Sequence, residues 1–86
     1  MKEKNITVLL RMKDLVTILG LCRSSIYQKI KDGLLPPSVP SGKRAVRWPS
    51  REIEIIIAAQ IAGKPEGVIK ALVNQLVADR DTVQGV

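Results

Sequence analysis

Apolar residues recur near the start of the chain with a helical period. In RMKDLVTILGL, Met12, Leu15, Val16 and Leu19 fall at i, i+3, i+4 and i+7, while Lys13, Asp14 and Thr17 point the other way. That is the one-faced pattern of a helix of two turns. Gly20 follows the last periodic residue, where a left-handed residue commonly closes a helix, and Leu21 is placed to fold back on it. Arg11 is a weak N-cap. A second short helix is predicted from near Arg23, with Cys22, Arg23 or Ser24 as its cap and Gly33 as its stop. Two short helices around a tight Gly-containing turn form a helix-turn-helix candidate.

The pattern then changes. In LLPPSVPSGKRAVRWP, Pro36, Pro37 and Pro40 exclude a helix. The strand-like SV and AVRW flank the turn signal SGKR, which predicts a β-hairpin over 38–48 with Lys43 and Arg44 at its tip. Trp48 at its end reads as a core plug. PSREIEIIIAAQIAG has the length and the acidic first turn of a helix ending at Gly63, with Ile53, Ile56, Ile57 and Ile61 on one side and Ile55 nearly opposite. Pro65 then opens a last helix in the N1 position, and Val68, Ile69, Leu72, Val73, Leu76 and Val77 form its wide apolar stripe. That stripe is either a lid over the domain's own core or a dimer seam.

Composition narrows the chemistry. The 86 residues suffice for one small domain with a helical arm, and without Phe the core must be built from Leu, Ile, Val, Ala and Trp48. Cys22 is alone and His is absent, which leaves no internal disulfide and no zinc or iron ligand set. A reducing, cytoplasmic setting is expected. No apolar run approaches a membrane span, since ITVLL is stopped by Arg11, Lys13 and Asp14. No activated nucleophile, carboxylate pair or phosphate-binding loop is present, so no enzyme, cofactor or small-molecule ligand is expected. The net charge of +6 is uneven: up to Arg51 eleven Lys and Arg face three Asp and Glu, and from Glu52 onward three face five. A cationic half followed by a packing half suits a nucleic-acid binder.

The second helix carries the candidate readout. Ile26 and Ile30 mark its buried side, and Ser24, Gln28 and Lys31 lie opposite, with Tyr27 on one flank and Ser25 and Asp32 on the other. An ordinary solvated face would look similar. A Ser–Gln–Lys stripe also suits a major groove, because Gln pairs bidentately with adenine while Ser and Lys meet bases or phosphate. Ser24 and Ser25 stand at the helix start, which favours a phosphate.

Taken in order, RMKDLVTILGLCRSSIYQKIKDGLLPP, then GKRAVRW, then the IAG segment and a final amphipathic helix resemble the AlpA family of phage-derived regulators, relatives of MerR-type winged helices and phage excisionases. The resemblance runs from about Leu9 to Arg80 and implies a mainly α fold with a small β-hairpin, a winged helix-turn-helix plus a C-terminal helix. It divides the chain into an arm (1–8), the DNA-binding domain (9–63) and a helix and tail for packing or dimerisation (64–86). It implies binding of double-stranded DNA near prophage genes, as a transcriptional regulator or an excisionase-type directionality factor, by a homodimer or a cooperative array. Arg23, Ser24, Ser25, Tyr27 and Gln28 fall on the family's recognition segment and Lys43 and Arg44 on its wing; Lys29, Lys31 and Arg47 join them by position. The family usually has Ser where this chain has Cys22. The alternative is a small antirepressor or adapter acting through its C-terminal apolar helix.

Overall fold

Gly20 and Gly33 stop the first two helices. In the computed structural model, which describes residues 8–40, 42 and 45–84 with side-chain surroundings as far as Arg80, α1 (Met12–Leu19) ends where Gly20 turns left-handed at φ 69° and its N–H donates to the Val16 carbonyl. Beyond α2 (Arg23–Lys31), Gly33 sits at φ 81°, its N–H on the Ile30 carbonyl at 3.1 Å and the Leu34 N–H on the Lys29 carbonyl at 2.8 Å. These two bonds satisfy the carbonyls that a helix end leaves over, in a backbone conformation glycine adopts without strain. At the start of α1 the Arg11 N–H donates to the Asp14 carboxylate at 2.9 Å. That bond is half of a capping box and makes up for the weak cap.

Three short antiparallel strands follow the order β1 (Leu9–Leu10), β3 (Val46–Pro49), β2 (Val39–Pro40), so β3 is central. Val39 and Pro40 stand opposite Arg47 and Val46, which is the expected hairpin. Its tip residues Lys43 and Arg44 lie outside the described residues. Strand β1 was not expected, because two residues carry no periodicity. Long-range bonds secure it: the Val8 N–H donates to Ser50 Oγ at 2.8 Å, and the Ser50 N–H donates to the Val8 carbonyl at 2.7 Å. Pro49 is the N-cap of α3 (Ser50–Ile61) by backbone conformation.

Helix α3 buries Ile53, Ile56 and Ala59, and Ile57 is half-buried. Ile61 departs from the expected face and is 82% exposed. The last turn of α3 runs beyond the core, and every residue from Gln60 to Val68 is exposed. Pro65 caps α4 (Glu66–Gln84) from outside rather than occupying its first position, since its carbonyl accepts from the Val68 and Ile69 N–H groups. The stripe of α4 turns inward on α3. Ile69 and Val73 are buried, and Leu72, Leu76 and Val77 pack beside them. They join Leu15, Ile26, Leu35, Trp48, Ile53, Ile56 and Ala59 in one core to which all four helices contribute. Trp48 is 1% exposed, and its indole N–H donates to the Pro36 carbonyl at 3.1 Å. The fold is thus mainly α with a small antiparallel sheet, a winged helix-turn-helix closed by a fourth helix.

One ion pair ties α4 to the rest. Arg80 holds Glu52 through Nε at 2.9 Å and a terminal nitrogen at 2.6 Å, with side chains only 18% and 9% exposed, and the same terminal nitrogen donates to the Pro37 carbonyl at 2.8 Å. Removing one member strands a charge with little access to water. Arg80→Met is therefore expected to cost about 3–5 kcal/mol in urea unfolding, whereas Glu52→Leu with Arg80→Met should recover most of that stability. A single variant as stable as wild type would show that water solvates Glu52 freely.

Candidate nucleic-acid interface

Helix α2 is held from beneath by a single fully buried residue, Ile26, with Ile30 half-buried beside it. Arg23, Ser24, Tyr27, Gln28, Lys31 and Asp32 are exposed, Tyr27 by 51%, while Ser25 and Lys29 are half-buried. The expected Ser24–Gln28–Lys31 stripe is therefore open along its length. Tyr27 flanks it rather than filling the core, which Trp48 occupies. Lys29 and Lys31 stand in the last turn of α2, where cations also offset the helix dipole.

Gln28 is not a free side chain. Its Nε2 donates to the Asp32 carboxylate at 3.0 Å. Because an ionised carboxylate only accepts, it is the amide nitrogen that faces Asp32. One N–H and the carbonyl oxygen of Gln28 then remain, the donor and acceptor that the major-groove edge of adenine complements. The sequence placed Asp32 on the edge of this face without giving it a role. The spacing of four residues was the available signal.

The start of α2 is only partly satisfied. Cys22 is the N-cap by backbone conformation, yet its side chain makes no capping bond to the helix. Its sulfur lies 3.3 Å from Ser25 Oγ, and this interaction chiefly holds the thiol below its ordinary pKa. Ser24 is exposed beside the leading N–H groups of α2. On the wing, Arg47 is half-buried, and its guanidinium donates to the neighbouring Val46 carbonyl at 2.9 Å, which lays it along β3. Among the described residues no group of His, Cys, Asp and Glu is placed to hold a metal, and no helix is long and apolar enough to cross a membrane.

Comparison with known proteins gives a family. Residues 8–60, from just before β1 into α3, match the family described as Prophage CP4-57 regulatory protein (AlpA). The uncharacterized protein ORF88 of Enterobacteria phage P4 is 38% identical over 58 residues, which cover 67% of this chain and 66% of that protein, just under two thirds of its length. No solved structure gives a significant match.

The incomplete cap at Cys22 has a measurable consequence. Cys22→Ser supplies an oxygen acceptor to the first N–H groups of α2 and is expected to add about 0.5–1 kcal/mol of stability. Thermal unfolding should show this as a rise of a few degrees, at about 4–8 °C per kcal/mol for a domain of this size. An unchanged or lower midpoint would mean that the Cys22–Ser25 interaction already serves as a cap.

Proposed function

The chain belongs to the AlpA family of prophage regulatory proteins and so is a phage-derived regulatory DNA-binding protein; from that premise we propose that α2 reads the major groove while the hairpin acts as the wing. The observation that carries this is the open Ser24–Gln28–Lys31 stripe, with the Gln28 amide already oriented by Asp32. Gln28 and Ser24 contact base edges, and Lys31 meets guanine or phosphate. Arg23, Ser25, Tyr27 and Lys29 position the helix on phosphates. Lys43 and Arg44, at the hairpin tip by sequence, reach the backbone or minor groove, and Arg47 supports them. The reading calls for no cofactor.

In this proposal the protein regulates prophage or genomic-island genes, as a transcription factor, as an excision directionality factor, or as both. Either role needs the same DNA-binding unit. A lone recognition helix covers few base pairs, so binding as a dimer or a cooperative array on repeated half-sites follows. The interaction-module alternative is favoured less, because Ile69 and Val73 of the α4 stripe are buried in the domain's core and Leu72, Leu76 and Val77 pack against it.

The test is fluorescence-anisotropy binding, first with pooled random duplexes and then with the motif they enrich, at two salt concentrations. Wild type should bind with a steep salt dependence. Lys43→Ala with Arg44→Ala should lower the slope by about one for each phosphate no longer neutralised, and Gln28→Ala should cost about 1–3 kcal/mol and relax preference at one base pair. Binding that enriches no motif, or a Gln28→Ala protein with unchanged preference, would overturn the assignment of α2.

A further inference from the structure

The connector between α2 and the hairpin is fixed from outside itself. It runs from Gly33 to Ser38 and contains Pro36 and Pro37, whose rings fix φ and whose only backbone polar groups are their carbonyls. Both carbonyls are taken. Pro36 accepts from the Trp48 indole on β3 at 3.1 Å, and Pro37 accepts from Arg80 on α4 at 2.8 Å. At the other end of the connector, a Cβ placed on Gly33 would lie 3.8 Å from Cγ of Lys70, also on α4. Helix α4 therefore meets the connector where it leaves α2 and again two residues before β2 begins at Val39. Glu52 on α3 grips the Arg80 guanidinium through both carboxylate oxygens, which fixes where the bond to Pro37 is made.

We propose that α4, which lies beyond the family-matched residues, braces the wing against the recognition helix, and that Arg80 is the positioning residue for DNA binding through the Pro37 carbonyl. The inference rests on the DNA-binding reading above. The physical step is short. The Pro36–Pro37 segment is stiff, Val39 is paired with Arg47 on β3, and a shift at Pro37 is passed to β2 and with it to the hairpin. Releasing Arg80 leaves α2 in place and lets the wing adopt several positions, most of them unable to reach phosphate while α2 is seated.

The experiment is a double-variant comparison on the full chain, with the duplex that wild type selects from a random pool. Glu52→Leu with Arg80→Met removes the ion pair and the donor to Pro37 together, so no charge is stranded, and its thermal unfolding is measured alongside binding. Arg80→Lys is the second variant, because it keeps the charge beside Glu52 but lacks the planar fork that spans carboxylate and carbonyl. In both backgrounds affinity should fall by about tenfold with a shallower salt slope, as when one or two phosphates go unneutralised. The distinguishing readout is the wing. Lys43→Ala with Arg44→Ala should weaken wild type severalfold and weaken the Arg80 variants much less, while Gln28→Ala should have its full effect in every background. A folded Arg80 variant that binds as wild type does, or in which the wing substitutions cost as much as in wild type, would overturn the brace while leaving the DNA-binding reading intact. Failure of wild type itself to bind at low salt would overturn both.

Discussion

The burial of Trp48 is the constraint on which the rest of the structure depends. A chain of this size without Phe has one side chain large enough to span the space between a small sheet and four helices. Trp48 lies on β3, the strand that pairs with both others, and it stands opposite Leu10 of β1. Two residues later the chain is already in α3, which supplies Ile53 and Ile56 to the same core. An indole N–H buried without a partner would cost about 1–3 kcal/mol, and the Pro36 carbonyl removes that cost. The bond selects one position for the connector, and with it the distance between the end of α2 and the hairpin. A packing requirement of the core thereby becomes a geometric requirement of the connector between α2 and the hairpin.

The polarity of α2 follows from the same constraint. Its inner side needs only Ile26 and half of Ile30 because Leu15 and Leu35 fill the space around them. Its outer side is released from packing and carries Ser24, Gln28 and Lys31. The Gln28–Asp32 bond belongs to the surface, where such pairs contribute only about 0.2–0.5 kcal/mol to a helix. Its consequence is orientation rather than stability: it sets which end of the amide faces outward.

What the sequence made legible was set by local rules. The α1 and α2 boundaries followed from Gly20, Gly33 and the apolar period, because those depend on residues within one turn of each other. Trp48 as a core plug followed from composition alone. The misses share a different physical origin. Strand β1 exists through bonds between Val8 and Ser50, 42 residues apart, and leaves no trace in a two-residue stretch. Ile61 lies on the side of α3 that a helical wheel marks as apolar, but a wheel gives direction and not depth. The last turn of α3 has passed the edge of the core. Arg80 carried no sequence signal, because its partners Glu52 and Pro37 are 28 and 43 residues away. On the candidate site, the exposure of the Ser24–Gln28–Lys31 stripe could be read from spacing, whereas the orientation of Gln28 needed coordinates.

The family match ends at residue 60, yet the core does not. Ile69 and Val73 are buried in the same core as the matched segment, and Glu52, which lies inside that segment, is paired with Arg80 outside it. A helix-turn-helix unit cut at the end of α3 would expose the faces of Ile53 and Ile56 that α4 covers and would leave Glu52 unpaired. Helices α1 to α3 and the hairpin are therefore not a self-sufficient module to which α4 has been appended. They are one side of a single core whose other side is α4. Displacing α4 would remove the Arg80 donor from the Pro37 carbonyl, and in the proposed brace it would thereby release the connector.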